Sequence, residues 1–144
     1  MNANGTIVGK KKNFVIDHPL RPDEQHLVHG AIEGPEIGVY YRGEATTGSD
    51  GCAEVALPNY FEALVRPVNR TVQVTPLIGE RLNVSPLGVS EVRDGRFTVR
   101  TLDGEQRSQK FYWEVKGVRM DVEELEVEID KTDEHTVECA PVNA

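Results

Sequence analysis

Cysteine is scarce in this chain of 144 residues: Cys52 and Cys139 are the whole supply. Their separation matches no metal-binding or redox spacing, which excludes a disulfide framework and a zinc module as organising principles. Two buried free thiols are expected, as in a reducing compartment. Long apolar runs are missing as well. No 18 consecutive residues are apolar, so no helical membrane span is written into the chain. Met1–Gly5 lacks the apolar core of a signal peptide, and the expected place of synthesis and retention is the cytoplasm. Apolar residues make up 38% and aromatics 6%, lean for a large independent core but not low enough for disorder. Such leanness suits a chain that covers apolar surface against partner subunits.

The motifs of catalysis are missing too. Ser49, Ser85, Ser90 and Ser108 are the only serines, and none stands in a G-x-S-x-G elbow or a Ser-x-x-Lys motif. The glycines follow neither a P-loop nor a dinucleotide pattern. Acids such as Glu33, Glu36, Glu44 and Glu62 are the raw material of a glycosidase pair, yet any β protein carries such acids. With no activated nucleophile or acid/base pair to name, a non-enzymatic protein is expected, with no catalytic residue, cofactor or metal. His26 and His29 are three apart. On a strand that spacing sends them to opposite faces, so one metal does not take both from a single chain. A symmetric trimer with one of them on its axis is the arrangement that would converge three copies.

Charge is present, but unevenly. The formal net charge is -8, and residues 1–119 carry 15 basic against 15 acidic residues. Asp121, Glu123, Glu124, Glu126, Glu128, Asp130, Asp133, Glu134 and Glu138 face Lys131 alone in the last 25 residues. An excess of this sign repels nucleic acid and anionic membranes, and neither is an expected partner. The Lys10–Lys12 run reads as a solvated strand edge.

Glycine and proline recur every eight to twelve residues, the rhythm of short strands joined by turns. The spacing predicts strands over Asn13–Asp17, His26–Glu33, Ile37–Ala45, Cys52–Leu57, Arg70–Thr75, Arg81–Ser85, Val89–Val92, Arg96–Thr101 and Gln109–Val118. Thr46–Gly51, Arg93–Arg96 and Leu102–Glu105 carry Asp-Gly signals for hairpin tips. Pro58–Leu64 lacks alternation and reads as one or two helical turns opened by Pro58. Leu125–Ile129 alternates apolar residues with glutamate and reads as a half-buried strand. Its glutamate row is a solvated face, or a charged edge that discourages wrong pairing. Glu33–Glu36 reads as a rigid turn in which Gly34 takes a conformation others resist, and the prolines at 19 and 22 as holding an extended connection. The expected fold is all-β: an antiparallel β-sandwich-like module with one short helix, packed or intertwined as a trimer. The chain divides into an arm over 1–12, a β-rich domain over 13–119 and an acidic strand or extension over 120–144.

Adjacent aromatics on a strand face opposite sides. One of Tyr40 and Tyr41, and some of Phe111, Tyr112 and Trp113, should therefore leave the core. Tyr40, Tyr41 and Trp113 are the candidate contact residues, either under a neighbouring subunit or as a stacking platform for a glycan.

Phe14–Pro22, His26–Gly30 and Ile32–Glu36 together resemble a module found in bacteriophage tail fibres and related appendages. The resemblance continues through Val39–Gly43, Leu57–Leu64, Thr71–Leu77 and Phe111–Arg119, covering about three quarters of the chain in order. It implies a β-rich, trimeric structural protein of the virion near the host-facing end of a fibre, assembled in the host cytoplasm. It implies itself and other virion proteins as partners, with a role in host attachment. Some longer relatives carry a self-cleaving chaperone after the module, and nothing after Arg119 resembles one. The acidic tail departs from the family pattern and leaves a capsid decoration or head-fibre protein as an alternative, beside a module that recognises a host surface polysaccharide.

Overall fold

The computed structural model describes residues 12–80, 82–104 and 108–128. The chain is all-β, with eight strands and one short helix among the described residues. The strands are β1 (Asn13–Asp17), β2 (His26–Gly30), β3 (Gly38–Thr46), β4 (Cys52–Ala56), β5 (Thr71–Pro76), β6 (Leu87–Val89), β7 (Arg96–Thr101) and β8 (Lys110–Val118); the helix α1 spans Phe61–Leu64. They form three antiparallel sheets: a β1–β2 hairpin, and two three-stranded sheets ordered β3–β8–β5 and β4–β7–β6.

The two three-stranded sheets face each other as the expected sandwich. Phe111, Trp113 and Val115 of β8 point inward toward Phe97 and Val99 of β7, and the rings of Phe97 and Trp113 meet edge to face at 5.8 Å. β3 approaches β4 at one seam and β5 approaches β6 at the other. At one end of the sandwich α1 adds Phe61 and Leu64 to the core, and Val65 follows it; all three are fully buried. A side chain at Gly117 of β8 would run into Val65, so glycine there sets how closely strand and helix pack.

Arg70 fixes the helix from outside the core. Its guanidinium grips Glu62 through two 2.9 Å bonds, donates to the Val65 and Arg66 carbonyls, and lies 4.9 Å from the Phe61 ring centre. Glu62 also accepts the Gly95 amide at 2.7 Å. The arginine and that amide hold the Glu62 carboxyl below its ordinary value.

The opposite end is closed by polar groups. Gln109, buried, receives the Ser85 amide at 2.7 Å and donates to the carbonyls of Leu77 and Lys110 at 2.7 Å each. Its own amide bonds the Thr47 hydroxyl at 2.8 Å, and its carbonyl takes the Thr47 amide at 3.0 Å. Side chain and backbone together thus tie the connections at 47 and 77–85 to the start of β8, with every polar atom of the side-chain amide satisfied.

Several local expectations need correction. The turn at 93–96 is the expected hairpin tip, with Asp94 and Gly95 both at positive φ, and it joins β6 to β7. Thr46–Gly51 and Leu102–Glu105 are not hairpins. Gly51 and Gly104 do take positive φ, but each segment crosses from one sheet to the other. Cross-sheet burial of the flanking strands overrides the local turn signal. Leu82–Ser85 forms no strand, and β6 begins two residues before the expected Val89. Residues 18–25 are a run of turns closed by the His18 amide on the Gln25 carbonyl, not an extended connection. Gly34 lies outside the positive-φ region, so the bend at 34–36 does not depend on its special freedom. Glu123–Glu128 is irregular, with Leu125 and Val127 exposed; it follows the surface beside Arg66, which bonds Glu124 and the Val122 carbonyl. Alternation without a neighbouring strand to pair with does not make a strand. Ile129, Cys139, most of the arm over 1–12 and the rest of the extension lie outside the described residues. Cys52 is half-buried.

Candidate functional site

Strict alternation divides β3, β8 and β5 into two sets of side chains. Val39, Tyr41, Gly43 and Ala45 of β3, with Phe111, Trp113, Val115 and Gly117 of β8, face the core. The outer face carries the polar set. Register puts it in rows: Tyr40–Lys116–Thr71, then Arg42–Glu114–Gln73, then Glu44–Tyr112–Thr75.

The last two rows surround a groove of about 540 Å³, walled by Arg42, Glu44, Gln73, Thr75, Tyr112 and Glu114. Its floor is the sheet backbone at Gly43 and Trp113, with the Trp113 indole on the other face. Tyr112 stands 52% exposed at its edge. The two carboxylates are already compensated: Glu44 pairs with Lys110 at 3.1 Å and Glu114 with Lys116 at 3.0 Å. Glu114 lies directly across from Arg42 but turns to the lysine instead. Among the described residues the Arg42 guanidinium has no ion-pair or hydrogen-bond partner.

A second constellation lies beneath the hairpin. The inner face of β1–β2 presents Phe14, Ile16, Leu27 and His29, in register as Phe14–His29 and Ile16–Leu27. His29 packs edge-on against Phe14 at 5.2 Å and Tyr41 at 5.9 Å, and its Nε2 is 3.4 Å from the Tyr60 hydroxyl. Buried His18 meets Tyr60 edge to face and accepts the Leu20 amide on Nδ1. Arg119 lies 4.0 Å above the Phe14 ring and is held by Asp121. Burial, then the Arg119 charge, lowers the His29 pKa, so this imidazole is neutral at pH 7. Burial, then the neighbouring Tyr60, pushes the Tyr41 phenol up; its hydroxyl is buried without a hydrogen-bond partner. His26 points the other way, as alternation requires, and pairs with Asp17 at 3.3 Å.

The three sequence-derived contact residues therefore have different fates. Tyr40 is on the outer face and 46% exposed. Tyr41 and Trp113 are not outward platforms: Tyr41 joins the cluster under the hairpin, and Trp113 packs on Phe97 with its indole laid over Gly43. A Cβ at Gly43 would stand 2.8 Å from that indole, so the glycine makes room for it. Sequence reasoning missed the groove residues. The signal was there in Lys110-Tyr112-Glu114-Lys116, a polar set that places Tyr112 outside once Phe111 is inside. Compared with known protein families, characterised proteins and solved structures, the chain matches none.

Proposed function

We propose that this protein is a non-enzymatic structural module of a bacteriophage appendage, a tail fibre or similar, that acts as a homotrimer in the virion and contributes to host attachment. The reading starts from the sequence blocks that resemble such modules. One structural observation supports it most. The blocks Phe14–Pro22 and His26–Gly30 build the β1–β2 hairpin, whose outer face sets Val15 directly opposite Val28, 59% and 53% exposed. The hairpin is a sheet of two strands, so each has a free edge among the described residues. An exposed apolar pair between open edges suits strand-to-strand contact with another copy of the chain.

Light scattering tests this at neutral pH. The expected mass is three times the 16.0 kDa chain, falling to a single chain when Val15→Asp and Val28→Asp are combined. A monomeric wild type overturns the reading. A second function is favoured by the groove on the outer sheet face: recognition of a host surface saccharide.

A further inference from the structure

We infer that the groove between Arg42 and Tyr112 binds an acidic saccharide, with Arg42 holding the sugar's carboxylate; this rests on the host-attachment reading above. Three features of the groove carry it. The first is the aromatic ring. Tyr112 leaves the core because Phe111 and Trp113 occupy it, and it offers a half-exposed ring at the groove edge. Sugars present an apolar face of C–H groups to such rings while their hydroxyls point sideways.

The second is the hydrogen-bonding wall. Gln73 and Thr75 flank the ring from β5, two positions apart and therefore on the same face. An amide and a hydroxyl both donate and accept, which matches the mixed character of sugar hydroxyls. The rigid sheet fixes their spacing, so little ordering is left to binding.

The third is charge, and it selects the class of sugar. The groove holds two acids and one arginine, which would favour a cation if all three were free. Lys110 and Lys116 take up Glu44 and Glu114, leaving Arg42 as the groove's only unpaired charge among the described residues. A planar guanidinium meets a carboxylate with two parallel charge-assisted bonds, stronger than those it makes to the hydroxyls of a neutral sugar. The occupant is thus a saccharide bearing a carboxylate, such as a hexuronic or sialic acid unit. Arg42 and Tyr112 sit in neighbouring rows, so one sugar ring and its carboxylate engage both.

The test is titration calorimetry of the full chain at low salt against oligogalacturonate, hyaluronan oligosaccharides and α2,8-linked sialic acid oligomers, with maltohexaose as the neutral control. Binding of at least one acidic probe is expected and none of maltohexaose. Arg42→Gln should weaken that binding roughly tenfold or more, and Tyr112→Ala by a similar factor. Arg42 and Tyr112 are exposed, so both variants should keep the wild-type melting curve. Failure of all three acidic probes, equal binding of maltohexaose, or binding indifferent to Arg42→Gln overturns the inference. Light scattering on the same samples separates the two readings. A trimer that binds no acidic sugar removes the saccharide site and leaves the appendage module standing; a monomer that binds one does the reverse.

Discussion

The two-sheet body buries Phe61, Phe97, Phe111, Leu64, Val65, Val99 and Val115 almost completely, whereas the β1–β2 hairpin adds only Leu27 to the buried apolar set. The hairpin docks instead through Phe14 under Arg119, His29 against Tyr60 and Tyr41, and His18 against Tyr60. Hydrophobic burial dominates the body, and the Arg70–Glu62 pair that pins its helix answers only to acid. Aromatic, cationic and imidazole contacts leave the hairpin answerable to mild changes of pH and salt. The hairpin's outer face also leaves Val15 and Val28 exposed, so in the trimer proposed above the less self-sufficient region would gain most from assembly.

The comparison breaks most sharply at Phe97. Phe97→Ala should cost about 3–5 kcal/mol in denaturant unfolding, since its ring is fully buried against Trp113, and body and hairpin should melt together. Arg119→Ala is expected to act on the hairpin alone. It removes the cation over Phe14 and should lower hairpin protection by about 1–2 kcal/mol in amide exchange, leaving body amides unchanged. Equal loss in both regions would show that the two are one cooperative unit. Tyr41→Phe removes a buried hydroxyl without a partner, and calorimetric melting should show a neutral to slightly higher stability, by up to about 1 kcal/mol.

The smallest effects are two pH dependences, one in the hairpin and one in the body. His29 is lowered from its ordinary 6.5, so below that pH the unfolded chain binds a proton that the folded one refuses. Its contribution is complete above about 6.5 and lost as pH falls through that value toward the folded pKa. Hairpin exchange protection measured from pH 8 to 5 should decline accordingly, and His29→Phe should flatten the decline. Glu62 acts in a lower window: its stabilisation is full above 4.5 and lost as pH falls further.

Strands were legible where alternation was clean. β1 and β7 have the bounds the sequence predicts, and Asp94-Gly95 marks a true hairpin. The same Asp-Gly pair at 50–51 and 103–104 puts only its glycine at positive φ, and the chain there passes between strands of different sheets. The glycine takes its positive φ at all three sites, while the pairing partner is chosen by burial tens of residues away. The groove was half legible. Alternation places Tyr112 outward, but that Glu114 would turn from Arg42 to Lys116 is a competition between side chains that only the fold brings together. Gln109 carried no sequence signal, because its role depends on three segments converging around it.

That Gln109 amide has an evolutionary side. It reads its neighbours through backbone atoms, the Leu77 and Lys110 carbonyls that any residue can supply and the Ser85 amide that any residue but proline can. The segment 78–84 is thereby pinned at both stems while Ile78, Leu82 and Val84 face outward. Substitutions of these three side chains leave the buried contacts between the sheets as they are. A module built this way can change what one end of it presents, generation after generation, on an unchanged frame.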